Sequence, residues 1–200
     1  MPVTLRRATQ TAGDADALAW GLGEAGDGLF RIMFGSRWFR ILAAAVREPG
    51  HELSLEHTTL AVEGEAVVGV LHGLHRRDMA DPDAALQRAA GLHRMLRAAL
   101  VEAAGRPLFR ALDAHDSGDW YLQAIAVRPP RRGAGIGSAL LDAAFDRARS
   151  SGAARITLDV DVANTRARQL YERHGFAVVA TSRPALLLGG ERVHRMAREL

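Results

Sequence analysis

The 200-residue sequence has no cysteine, no lysine and few aromatic residues, which make up 6% of the chain. Without cysteine, disulfides, thiolate metal sites and a cysteine nucleophile are excluded together, and a reducing compartment is permitted. Without lysine, the Gly-Lys-Ser/Thr end of a nucleotide P-loop cannot be built. No apolar run is long enough to cross a bilayer, and Met1 to Arg7 lead into a polar stretch rather than an apolar signal core. These features predict a cytoplasmic protein with no membrane partner.

Arginine supplies all of the 26 Lys+Arg residues against 23 Asp+Glu, a formal charge of only +3. The sequence pI of 10.4 therefore reflects the very high pKa of the guanidinium more than a strong field at neutral pH. The arginines are scattered rather than clustered, which argues against a nucleic-acid partner. No paired His or carboxylate spacing suggests a metal site.

With 48% hydrophobic residues the chain can bury a core, and one domain over 1–200 is expected. Residues 3–8 predict a first strand, followed by a helix from Asp14 or Asp16. A second helical stretch runs from Phe30 through Val46, with Ser36 as an N-cap after an interruption at Gly35. Its apolar surface around Phe30 to Phe39 is a candidate homodimer contact. Thr58 to Val62 and Ala66 to Leu71 flank Glu63-Gly64-Glu65 as a hairpin. Asp81-Pro82 predicts an N-cap with proline in the first helical position, and Gly91 predicts a break within the helical pattern of Leu86 to Leu100. These helices fall in an insertion near 76–118.

Downstream, the strand Tyr121 to Val127 enters Arg128-Pro129-Pro130-Arg131-Arg132-Gly133-Ala134-Gly135-Ile136-Gly137-Ser138, followed by a helix marked by Leu141, Phe145 and Ala148. Arg155 to Val160 predicts the next strand, and Asn164 caps a helix with Ala167, Leu170, Tyr171 and His174 on one face. Phe176 to Ala180 and Val193 to Ala197 predict the final strands. In the loop, alternate glycines let successive amides converge at a helix N-terminus, a phosphate-binding arrangement. A dinucleotide fingerprint fits less well: four residues separate strand from glycines and Ser138 stands where the third glycine belongs, although Asp159 lies near the ribose-carboxylate distance.

Val127 to Leu141 resembles the acetyl-coenzyme A motif of the GNAT acetyltransferases, Arg/Gln-x-x-Gly-x-Gly/Ala, and Leu158-Asp159-Val160, Asn164, Ala167, Leu170-Tyr171-Glu172 and Gly175-Phe176 follow in the order of that family's second conserved region. The resemblance covers residues 121–176. It implies an α/β GNAT fold: a central mixed, mostly antiparallel sheet flanked by helices, with a splayed parallel strand pair at 121–127 and 155–160. It further implies acetyl-coenzyme A as donor, with Ile125, Ala126 and Val127 holding the pantetheine arm. Arg132, Gly133, Ala134, Gly135, Ile136, Gly137 and Ser138 would hold the pyrophosphate, and Asn164, Ala167 and Tyr171 would lie beside the cofactor.

Acetylating an amine, on a small molecule or a protein, requires an uncharged nucleophile and a departing thiolate. An alkylamine of pKa about 10.4 is only about one part in a thousand neutral at pH 7. Tyr171 is the candidate acid toward sulfur, with a core role as the alternative. Asp119 heads the candidate bases, followed by Asp116, His115 and Gln123, the last as a water positioner. Asp113, His115, Asp116 and Asp119 also form an acidic cluster that could attract a cationic amine. Trp38, Phe34 and Trp120 are pocket walls or core, and His194 is equally ambiguous. An inactive coenzyme A binding module and an acyltransferase for longer donors are the other readings.

Overall fold

The computed structural model describes residues 2–106, 109, 116–185 and 189–200. Its centre is a seven-stranded sheet in the order β1-β2-β3-β4-β5-β7-β6. The strands are β1 (Val3–Arg7), β2 (Thr58–Glu63), β3 (Ala66–His75), β4 (Asp119–Val127), β5 (Arg155–Asp161), β6 (Ala177–Thr181) and β7 (Val193–Glu199). Every neighbouring pair is antiparallel except β4 with β5. A parallel pair needs a crossover, and here the connection is the helix α6 described below.

Side chains alternate across the sheet, so adjacent residues enter different cores. Leu60 and Val70 join Leu18, Leu22, Leu42 and Val46 under α1 (Ala12–Ala25) and α3 (Trp38–Ala45). Ala61 and Leu71 join Leu140, Leu141, Phe145, Ile156 and Met196 under α6 (Ile136–Ser150). The remaining described helices are α2 (Leu29–Phe34), α4 (Asp83–Ala90), α5 (Leu92–Ala104) and α7 (Thr165–Arg173). Between β3 and β4, Ala85, Leu86 and Ala90 of α4 belong to the first core, whereas α5 contributes Ala98 and leaves Leu92, Leu96 and Leu100 exposed. No helix among the described residues is long and apolar enough to cross a membrane.

Three local expectations need correction. The first helix begins earlier than Asp14 because the Thr11 side chain accepts from the Asp14 amide at 3.2 Å and caps it. The Asp14 carboxylate is instead buried and takes both Arg6 guanidinium nitrogens at 2.7 Å. Ser36 is no N-cap: Gly35–Arg37 forms one 3₁₀ turn and α3 starts at Trp38 behind Arg37, without a side-chain cap. Pro82 sits at the N-cap rather than inside α4, and the Asp81 carboxylate accepts from the Asp83 amide at 2.7 Å. Gly91 does break the helical stretch, at φ +75°.

The Phe30 to Phe39 segment turns inward. Phe34 is buried, and Phe30, Met33, Trp38 and Phe39 pack against the first core, leaving Ile32 as the exposed large apolar residue of that stretch. Trp120 is likewise buried, in the second core.

Candidate active site

The parallel β4–β5 ladder pairs Asp119 with Arg155 through Leu122 with Leu158, while β4 continues to Val127 and β5 to Asp161. Their outer edges stay zipped: β3 pairs with β4 up to Val127, and β7 pairs with β5 up to Asp161. Only the facing edges part. A bulge gives the local reason. His72 of β3 pairs with Ala124 and Gly73 with Leu122, so Gln123 is an extra residue in β4, and an extra residue bends its strand.

Below the gap, the glycine loop feeds α6. Gly133 and Gly135 adopt φ +87° and +79°, a left-handed conformation that glycine reaches without a Cβ penalty. Gly135 is the N-cap of α6, and the first amide to find an intrahelical partner is Ala139, on the Gly135 carbonyl at 3.1 Å. The amides of Ile136, Gly137 and Ser138 therefore head the positive end of a 15-residue helix.

Loop, gap and α7 enclose a cavity of about 530 Å³. Its lining holds Ile125, Ala126, Val127, Arg132, Gly133, Gly135, Gly137, Ser138, Asn164, Ala167 and Tyr171, all expected from sequence. Arg131, Arg166, Leu170, Arg173 and Glu24 also line it. Ala134 does not, and Ile136 turns its side chain into the second core. Arg132 donates to the Val127 carbonyl at 2.9 Å and pairs with Glu24 at 2.9 Å. Arg131 pairs with Glu63, and its Nε is buried without a hydrogen-bond partner.

Tyr171 is buried on α7, edge-on to Phe176 at 5.7 Å between ring centroids. It lines both this cavity and a second one of about 340 Å³, so its apolar packing and its access to the gap coexist. Burial raises its hydroxyl pKa, which keeps the proton in place at neutral pH. Asn164 accepts from the Ala167 amide at 3.1 Å, capping α7 as expected.

The second cavity contains Gln123, Asp27, Asp159 and Asp161 in its lining and shares these residues with a third, about 210 Å³. Asp159 receives both Arg195 donors, at 3.0 and 2.8 Å, and the Tyr121 hydroxyl at 3.2 Å. Burial raises the Tyr121 pKa, with the Asp159 charge adding to it.

Asp119 stands at the closed end of the strand pair, opposite the gap, and lines none of these three cavities. It is buried and held by Arg155 at 3.0 and 2.9 Å; Asp116 joins the same guanidinium at 2.7 Å. Asp113 and His115 lie outside the described residues. Among the base candidates, Gln123 alone reaches the gap in the described structure. Trp38 lines a separate hollow with Trp20 and Phe30, and His194 bonds the Thr181 hydroxyl at 2.9 Å.

Sequence reasoning missed Glu24, Asp27, Asp161 and Glu191, which line the second and third cavities. Their signal is weak because Glu24 lies in the last turn of α1 and the others sit on connections or at a strand end. Asp27 does carry one local mark, φ +41° beside Gly26 and Gly28.

A mixed sheet opened between two parallel strands, with a glycine loop capping a helix at the opening, is an acetyltransferase architecture, and solved structures bear this out. One described as an acetyltransferase matches 98% of this chain and 98% of its own, at TM-score 0.71 and 25% identity. An N-acetyltransferase from Staphylococcus aureus Mu50 matches 98% of this chain and all of its own in fold, at TM-score 0.75 and 16% identity. The model of the Acetyltransferase (GNAT) family matches residues 29–176. The chain belongs to that family.

A mycothiol acetyltransferase from Beutenbergia cavernae is 41% identical over 69 residues, covering 34% of this chain and 23% of the relative. Its counterpart from Propionibacterium freudenreichii is 42% identical over the same length, 22% of the relative. The matched segment is thus less than a quarter of either relative's length.

Proposed function

We propose that the chain is an N-acetyltransferase that moves an acetyl group from acetyl-coenzyme A to a primary amine by direct transfer. The observation that carries this reading is the coincidence of three features in one 530 Å³ cavity: the parted β4–β5 edges, the glycine-capped α6 and Tyr171. Coenzyme A fits this lining by chemistry. Arg131, Arg132, Arg166 and Arg173 supply positive charge for phosphates, and the amides of Ile136 to Ser138 point the helix end at a pyrophosphate. The unpaired edge at Ile125, Ala126 and Val127 offers backbone groups to an extended amide-bearing arm. Bound there, the thioester supplies an activated acetyl group.

Tyr171 holds its proton at neutral pH and lines the gap, so it donates that proton as the bond between carbonyl carbon and sulfur breaks. The amine nitrogen bonds the same carbon with its lone pair. The proton it sheds leaves through water on the side of the gap lined by Gln123, Asp159 and Asp161, and solvent restores the tyrosine. The products are the N-acetyl amide and the free thiol. Asp119 takes no part here because Arg155 engages it at the closed end of the strand pair. The absence of cysteine agrees with transfer that forms no thioester to the protein.

The test is thiol release from acetyl-, propionyl- and butyryl-coenzyme A across a panel of amines. Release that is fastest with the acetyl donor is expected. A preference for a longer donor would make the chain a different acyltransferase, and tight binding without release from any donor would make it a binding module.

A further inference from the structure

Among the residues lining the donor cavity, Glu24 is at odds with an anionic ligand. Four arginines border that cavity, and Glu24 is the one carboxylate among its described lining residues. Its place on the helix adds to the conflict, because it lies in the last turn of α1, where the carbonyl end carries partial negative charge. What engages it there is Arg132, whose Nη2 donates to the Glu24 carboxylate at 2.9 Å. The same guanidinium donates from Nε to the Val127 carbonyl at 2.9 Å.

The two contacts of Arg132 differ in what they exclude. The Nε bond uses a backbone carbonyl and leaves the rest of the guanidinium fork able to change partners. The Nη2 bond occupies a donor that a phosphate would use. Both side chains of the ion pair are 41% exposed, and a pair at that exposure holds weakly. A pyrophosphate suits the planar fork at least as well as a carboxylate does, and the amides at the start of α6 hold it at the same time. Glu24 also has space to leave: it is shared by the linings of the donor cavity, the gap cavity and the hollow beside Trp20 and Trp38.

We infer that Glu24 stands in for a donor phosphate in the free protein and so sets donor affinity: the pyrophosphate of coenzyme A takes the Arg132 guanidinium from it, and the carboxylate turns away toward the gap cavity. This rests on the acetyl-transfer reading for the identity of the donor. Loss of the ion pair and the like charge of Glu24 both oppose binding, so the wild type binds coenzyme A less tightly than its arginines and amides would alone. Removing the carboxylate raises affinity, and does so through Arg132. A Glu24 that contributed a hydrogen bond to the donor would act in the opposite direction.

Calorimetric titration of coenzyme A into the wild type, Glu24→Gln, Arg132→Gln and the double variant tests the exchange. Glu24 is exposed and glutamine is a comparable helix former, so the variant should fold, as thermal melting checks. Glu24→Gln is expected to bind coenzyme A ~3–10-fold more tightly than the wild type. Arg132→Gln should bind more weakly, and adding Glu24→Gln to it should give a smaller gain, because no guanidinium is left to release. Dephospho-coenzyme A, which keeps the pyrophosphate and lacks the ribose phosphate, should show the same gain as coenzyme A. Unchanged or weaker binding by Glu24→Gln, an equal gain with and without Arg132, or a gain lost with dephospho-coenzyme A overturns the inference. Absence of coenzyme A binding by the wild type and Glu24→Gln alike overturns the acetyl-transfer reading instead.

Discussion

Leu122 and Leu158 form the last parallel pair between β4 and β5. Beyond them the strands keep their outer partners and lose each other, so the backbone of 123–127 faces a cavity instead of a strand. Because unpaired buried backbone groups are costly, such an edge is stable only where water or a ligand satisfies it. Tyr171 enters from α7 at this opening.

Tyr171→Phe removes only the hydroxyl and keeps the ring contact with Phe176. Turnover should fall by about 10²–10⁴, the range for loss of a general acid, with acetyl-coenzyme A affinity within about twofold. Because burial raises the hydroxyl pKa, the wild-type rate should show no alkaline decline attributable to this group below about pH 10. A pH–rate profile on both forms checks the two statements. Unchanged turnover would leave Tyr171 a packing residue.

Gly73→Ala should destabilise the protein. An added Cβ would lie 2.3 Å from the Trp120 ring and 2.7 Å from the Tyr121 carbonyl oxygen, and Trp120 is buried. Overpacking of this kind costs about 1–3 kcal/mol. For a chain of this size each kcal/mol lowers Tm by about 2–4 °C; thermal melting measures the change.

Asp14 ties β1 to α1, and its hydrogen bonds to Arg6 hold its pKa down at about 2 against opposing desolvation. A depressed carboxylate pKa contributes stability that is present above the unfolded value near 3.9 and lost as pH falls through about 2. The shift corresponds to roughly 2 kcal/mol. Asp14→Asn should lower stability at pH 7 by about that amount and flatten the dependence between pH 4 and 2, as read by denaturant midpoints.

His72 is fully buried between the Thr58 hydroxyl and the Glu52 carbonyl, each at 2.8 Å. Burial pushes its pKa down to about 3, so the unfolded chain binds its proton first. Stability is complete above about pH 6.5 and declines as pH falls toward 3. Midpoints should drop across pH 6.5 to 4, and His72→Gln should reduce that slope while lowering stability at pH 7.

Much of the fold was legible because its signals are local. Short β-type runs on either side of Glu63-Gly64-Glu65 marked β2 and β3, and the Asn164 cap fixed the start of α7. The Gly133 and Gly135 pattern stated its backbone conformation directly. What misled was context. Phe34 and Trp120 have no sequence mark separating core from pocket, and Asp119 looked like a free base because its partner Arg155 is 36 residues away. Ser36 had the right chemistry for a cap, but the Gly35–Arg37 turn carried the chain past it. Asp161 at the end of β5 and Glu191 just before β7 line one cavity, and no local periodicity records that meeting.

The central claim is that the glycine-capped start of α6 and the opened β4–β5 edge hold acetyl-coenzyme A. Calorimetric titration of the wild type and of Gly135→Trp tests it most directly. Gly135 sits at φ +79° with open space where a Cβ would project. The variant should therefore fold, with strain of about 1–2 kcal/mol, while its indole occupies the cradle beside the phosphate-facing amides. The account predicts saturable one-to-one binding to the wild type and at least ~100-fold weaker binding to a folded variant. Equal affinity in the two proteins, or no binding to the wild type, would contradict it.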